Sequence, residues 1–393
     1  MQNNMKKNIT RTIKTILWIT ILIFSFKNYM YSQNDTKKGT FKTLTVTGHS
    51  GAHIYTGESL SEKLQYGYGG VNLKFSWVPN KEDDWSLDTG YAAYGIGFYT
   101  ANIGDPEVFG NPHALFGFIN FFLSKPYRRN VLELSPAFGL TYNLEPYNPE
   151  TNPFNDAIGA KMAVYFSVDF VGAYKLNREI DLIYGVDFKH FSNGRTFTPN
   201  FGLNMFGFNG GMRYNFNTNQ KRLDRDPYTT NVVSSRFMRP ERPKTRKNDF
   251  NNSVDVYAAL GVVQNEADKG TNRQFGTFSG TIDYRRYFNR MHGISAGLDF
   301  FFDNSLSEKY PETSDRFLLA FHYGYDFMFQ RFDIRLNVGH YLTDDRGKGN
   351  FFLRPALQYE ISKSFYAQFG LKTSAGAAAD WIEFGVGIKP FKW

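Results

Sequence analysis

The chain has 393 residues, no cysteine, 18% aromatic residues and a formal charge of +8 at pH 7. Lack of cysteine excludes a disulfide framework, a thiolate metal site, a cysteine nucleophile and a cysteine-linked lipid anchor. A hydrophobic fraction of 41% excludes a low-complexity chain and is sufficient for a folded body. The positive charge is concentrated in residues 1–32, with Lys6, Lys7, Arg11, Lys14 and Lys27 and no acid, and in residues 217–250, which hold Arg236, Arg239, Arg242, Lys244, Arg246 and Lys247. The remainder is close to neutral, which disfavours a body that binds nucleic acid.

In chain order, the first expected element is an export signal over residues 1–32: a basic start, the apolar run Ile16 to Phe24, and polar Ser32 and Gln33 where cleavage fits. That run is shorter than the roughly 20 residues of a spanning helix. After residue 33 the chain instead alternates with period two. Met162, Val164, Phe166, Val168 and Phe170 share one face, and Ala163, Tyr165, Ser167 and Asp169 share the other. Tyr94, Ile96 and Phe98 alternate with Gly95 and Gly97, and Leu353, Pro355, Leu357 and Tyr359 with Arg354, Ala356 and Gln358. Segments of about ten residues, apolar on one face and polar or glycine on the other, predict an all-β transmembrane antiparallel barrel. A soluble sandwich alternates in the same way, but here short connections such as Asn177-Arg178, Asn289-Arg290 and Gln330-Arg331 alternate with long ones such as 143–159 and 304–314. Short inner turns and long outer loops favour the membrane barrel, and the aromatic C-terminal residue Trp393 agrees.

Strands are expected near 41–56, 65–79, 89–104, 113–125, 129–143, 162–177, 179–192 and 201–216, then 253–263, 273–288, 291–303, 315–330, 332–345, 349–363, 364–376 and 380–393. The organisation is therefore a signal over 1–32, a first eight-strand unit over 33–216, a basic periplasmic-side linker over 217–250 and a second eight-strand unit over 251–393. Two tandem eight-stranded barrels and one sixteen-stranded barrel both fit the periodicity. Small barrels fill their interior with side chains, whereas large ones leave an aqueous lumen. Inward positions Asp169, Asp187, Lys189 and Arg213 suit a charge network filling a small barrel, so two barrels are favoured.

The seventh strand, Leu182 to Ser192, puts Leu182, Tyr184, Val186 and Phe188 on the lipid face, and the same parity carries His190 and Ser192 outward near its outer end. Polar residues on a lipid face are tolerated at the interface. An imidazole and a hydroxyl two residues apart on one face are about 6.6 Å apart along the strand, the minimum arrangement for a base-activated serine. His190-Phe191-Ser192-Asn193-Gly194, followed by Pro199, Asn200 and Gly202, resembles the motif of the outer-membrane lipid A 3-O-deacylases (PagL-like, acyloxyacyl hydrolases), in a larger Bacteroidetes-type form. The resemblance covers roughly residues 41–216. It implies an outer-membrane esterase that hydrolyses an ester-linked acyl chain of lipopolysaccharide or another envelope lipid without a cofactor or metal. Ser192 would be the nucleophile, His190 the general base, and Asn193, Gly194 and Asn200 would stand where oxyanion donors are expected.

The family's acid stands twelve positions after the serine, and here that position is Asn204, on the outward face with Phe206 and Phe208. Its carbonyl oxygen can fix the histidine tautomer, as asparagine does in Cys-His-Asn proteases, without supplying a full charge. Glu145 and Glu150 are the acids of the preceding outer loop. In the second unit, Thr373 and Ala375 fall where His190 and Ser192 stand, so that unit is expected to be non-catalytic. His49 and His53 are read as residues of the first strand rather than metal ligands. The alternative function is a non-enzymatic barrel: a porin-like channel if sixteen strands close together, or a catalytically lapsed envelope protein.

Overall fold

The computed structural model describes residues 40–393 apart from 55–56, 58, 66, 80–85, 87, 126–127, 178, 217–249 and 376–377. The expected export signal and nearly all of the linker lie outside the described residues. The first eight strands are β1 (Thr40–His53), β2 (Tyr68–Pro79), β3 (Ala93–Asn102), β4 (Gly110–Phe122), β5 (Asn130–Leu144), β6 (Ala163–Lys175), β7 (Ile180–Ser192) and β8 (Leu203–Asn215). The second eight are β9 (Asn252–Val263), β10 (Phe275–Tyr287), β11 (His292–Asp303), β12 (Phe317–Phe329), β13 (Phe332–Tyr341), β14 (Phe351–Glu360), β15 (Phe365–Ser374) and β16 (Ala378–Lys392). Each set closes on itself, β1 against β8 and β9 against β16, giving two antiparallel eight-stranded barrels rather than one of sixteen. The third strand begins four residues later than its pattern suggests, because Gly90 and Tyr91 adopt left-handed φ of 63° and 61°, which extended backbone cannot accommodate.

The period-two pattern becomes two surfaces. Outward positions such as Ile96, Leu115, Leu140, Phe206 and Phe208 in the first barrel, and Leu260, Tyr323, Leu336 and Phe384 in the second, are exposed apolar side chains. They form the band that hydrocarbon would cover. Inward positions carry buried aromatic side chains such as Tyr99, Tyr165 and Phe191 together with paired charges. In the first barrel Asp187 accepts from Tyr68 (2.9 Å) and Asn209 (3.0 Å) and pairs with Lys189, while Lys74 pairs with Asp169. Arg213 forks onto both oxygens of Glu133, at 2.8 and 2.6 Å. In the second barrel Arg285 meets Asp255 and Asp326 at 3.0 Å each as well as Asp333, and Arg354 bridges Asp299 (2.6 Å) and Glu383 (2.8 Å). Charges taken out of water are tolerable only when paired and hydrogen-bonded. The networks therefore fill both interiors, as eight-strand closure requires. A porin-like lumen made by sixteen strands closing together is thereby excluded.

The two barrels meet along an oblique seam. Tyr94 of β3 lies 6.3 Å from Phe329, Phe121 of β4 lies 5.7 Å from Phe327, and Phe138 of β5 lies 5.2 Å from Phe369, measured between ring centroids. Farther along, the β7–β8 connection leans on β16 and on the β9–β10 connection. Barrel strands are tilted against the axis, so a straight line of contact crosses successive strands. The seam reaches the β7–β8 connection for that reason.

Candidate active site

His190 sits on β7 opposite Asn204 of β8 in the strand register. Register and shared outward parity bring the two side chains together: His190 Nδ1 donates to Asn204 Oδ1 at 2.7 Å. That bond leaves the lone pair of the imidazole on Nε2. Room for the ring depends on Gly202, whose φ is +75° and where an added Cβ would lie 3.0 Å from His190 Cε1. Glu145 and Glu150 are exposed on the β5–β6 connection, and neither forms a bond to His190 among the described residues.

Ser192 ends β7 and is buried. Its Oγ receives the Asn200 Nδ2 at 3.0 Å and the Gly194 amide at 3.2 Å. The Asn200 carbonyl oxygen lies 3.1 Å from Ser192 Oγ and accepts the Asn193 amide at 2.9 Å, which fixes which way the carboxamide points. Asn193 Nδ2 donates to Phe197 O at 2.9 Å. Four of the expected site residues thus form one hydrogen-bonded nest around the serine oxygen, and the other two form the His190–Asn204 pair. Between these halves there is no hydrogen bond: among the described residues, Ser192 Oγ is bonded to Asn200 and Gly194 and not to His190. Parity dictates that both side chains face outward, but the serine rotamer is set by Asn200. Catalytic hydrogen bonds often form only when substrate binds.

Two further features had no signal in the sequence. Inside the first barrel, Thr47 Oγ1 is 2.8 Å from His49 Nε2, and His49 Nδ1 is 2.8 Å from Asp187 and 3.0 Å from Lys189 Nζ. This hydroxyl–imidazole–carboxylate line is sealed among buried side chains, where its role is to satisfy the interior network. The second feature is that the connection following Ser192 is held by residues of the other barrel, chiefly Gln264 and Asp380.

The closed antiparallel barrels and their exposed apolar band define a membrane β-barrel, with an outward polar cluster at one strand end. The lipid A 3-O-deacylase (PagL) family matches residues 67–213, within the first barrel, and the acyloxyacyl hydrolase C-terminal domain matches residues 252–393, the second. The chain belongs to this family of outer-membrane lipid A deacylases. No curated protein sequence matches it. Among solved structures, it is similar to the outer membrane protein Omp33 of Acinetobacter baumannii, at 8% identity over 91% of this chain and 100% of that one, with a TM-score of 0.16. A mutant porin of Rhodopseudomonas blastica matches at 12% identity over 88% and 99%, with a TM-score of 0.18. The P. putida toluene transporter TodX matches at 9% identity over 91% of each chain, with a TM-score of 0.17.

Proposed function

We propose that the first barrel hydrolyses an ester-linked acyl chain of lipopolysaccharide by a serine mechanism on its lipid-facing wall. The observation that carries this reading is the outward pairing of His190 with Asn204 at 2.7 Å, beside a serine whose oxygen is met by two N–H donors. An acyl chain of a membrane lipid reaches such a site laterally, without leaving the hydrocarbon.

In the reaction Ser192 turns from Asn200 toward His190 Nε2, a rotation about one side-chain bond. Its Oγ attacks the ester carbonyl while Nε2 takes the hydroxyl proton. Negative charge then develops on the carbonyl oxygen beside the Gly194 amide and the Asn200 carboxamide, the donors that now point at Oγ. Collapse breaks the bond to the sugar oxygen, which takes the proton from His190 and leaves as an alcohol. Water, deprotonated by His190, attacks the acyl-serine in turn; the bond to Ser192 Oγ breaks, Oγ takes the proton back from His190, and the fatty acid is released. Asn204 holds the tautomer throughout and offers a dipole rather than a charge to the imidazolium.

The test is mass spectrometry of lipid A from cells producing wild type or Ser192→Ala, with outer-membrane insertion checked in both. Loss of one acyl chain only with wild type is expected. Identical acylation, with the barrels inserted, would exclude the esterase and leave a lapsed envelope protein.

A further inference from the structure

The connection between Ser192 and β8 begins and ends on the first barrel, yet its middle is fastened to the second. Arg195 donates from Nε to Gln264 O at 3.2 Å and from Nη1 to Asp380 at 3.1 Å. The Arg195 carbonyl accepts the Gln264 amide at 3.1 Å. Thr196 O accepts from Gln274 Nε2 at 2.7 Å. Thr198 gives its amide to Gln264 Oε1 at 2.7 Å and its hydroxyl to the same oxygen at 3.1 Å. Gly194 has φ of +59° and lies so close to Ile382 of β16 that a Cβ there would run into the isoleucine side chain.

The anchors themselves are rigid. Gln264 is fully buried, and its Nε2 donates to Thr271 O at 2.9 Å and Arg273 O at 3.2 Å, so each polar atom of its carboxamide is engaged. Asp380, also fully buried, is held by Lys348 at 2.8 Å and Lys372 at 2.7 Å. A polar group so satisfied does not relocate without leaving partners unpaired. The residues that touch the serine flank the tethered ones: Gly194 directly precedes Arg195, and Asn200 follows Thr198 by two.

From this we infer that the second barrel, which lacks the His-x-Ser pair, is a positioning element for the active site, with Gln264 its principal positioning residue. It holds the Gly194 amide and the Asn200 carboxamide where charge develops. The inference rests on the reading of Ser192 and His190 as the ester-cleaving pair. Freed from Gln264, the connection keeps its sequence and its attachment to β7 and β8, but the donors lose their fixed position. Displacements of about 1 Å at reacting groups cost around a hundredfold in rate, and loss of one oxyanion donor costs about a hundred- to a thousandfold.

The experiment compares full-length wild type, Ser192→Ala, Gln264→Ala and Gln274→Ala, purified and reconstituted with lipopolysaccharide in mixed detergent micelles. Released fatty acid is measured per folded molecule, the folded fraction being counted by heat-modifiable gel mobility. Gln264→Ala is expected to lower kcat at least tenfold with KM within twofold, because substrate still enters the same lipid-facing site. Gln274, exposed at the rim, supplies a variant that leaves the interior of the barrel untouched, and a smaller kcat loss is expected there. Variants as active per folded molecule as wild type, or altered in KM alone, would overturn the inference. Should Gln264→Ala not fold, an unchanged kcat in Gln274→Ala overturns it and a lowered one supports it. Equal fatty-acid release by wild type and Ser192→Ala would instead remove the esterase reading, and this inference with it.

Discussion

Replacing Asn204 with aspartate exchanges one NH2 for an oxygen and leaves the His190 Nδ1 contact at its present 2.7 Å. In the proposed mechanism the imidazolium formed on attack by Ser192 would then face a full charge. Two unit charges about 4 Å apart interact by about 1 kcal/mol in water and about 4 kcal/mol near a protein surface. At about 1.36 kcal/mol per factor of ten, the attraction corresponds to roughly fivefold up to a thousandfold in rate. His190 and Asn204 are both half-buried, and desolvating the new carboxylate offsets part of the gain. The expected rise in kcat is therefore near the lower end, about tenfold. Asn204→Ala, which leaves the tautomer and ring orientation unset, is expected to lower kcat by about a hundredfold or more. Both are read from fatty-acid release by folded protein in lipopolysaccharide micelles. If neither variant changes kcat while Ser192→Ala abolishes it, Asn204 does not act through His190, and the orientation argument fails.

Gly202→Ala forces a side chain onto a left-handed backbone and to within 3.0 Å of His190 Cε1. Activity should fall at least tenfold with the heat-modifiable mobility of the folded protein retained, and full activity would show that the ring is free to shift. Glu133→Ala strips the half-buried Arg213 of its forked partner and leaves it the Thr45 hydroxyl at 3.3 Å and Asp181 at 4.0 Å. Breaking a buried pair from one side costs about 3–5 kcal/mol. Urea unfolding in lipid vesicles should show a loss of about 3 kcal/mol, and one below about 1 kcal/mol would mean that water reaches Arg213 through the barrel end.

Most of the architecture was legible because a membrane strand writes its two environments directly into sequence: the alternation of Met162 to Phe170 marks a strand, and the short and long connections around it decide for lipid over a soluble sandwich. The same parity placed His190, Ser192 and Asn204 on one wall, since register errors of one residue would have turned all three inward. How the sixteen strands close was not written in their periodicity. It followed from the inward charges, because Asp187 and Lys189 need partners across a lumen narrow enough for side chains to touch. The contact of Ser192 with Asn200 in place of His190 was hidden, since alternation fixes a face and not a rotamer. Gln264 and Asp380 were hidden for a different reason: each reads as an ordinary polar residue near a strand end, and its partner on the other barrel is a tertiary fact.

The separate closure of the barrels also bears on how the protein is made. β1 finds β8 within residues 40–215, and β9 finds β16 within residues 252–393, whereas a single barrel would have had to join β1 to β16 across the whole chain. Shorter loops close at lower entropic cost and pair sooner. Each half can therefore complete its cylinder without waiting for strands of the other. Closure is in this sense modular, but the β7–β8 connection is not: a first cylinder closed by itself has nothing for that connection to lean on.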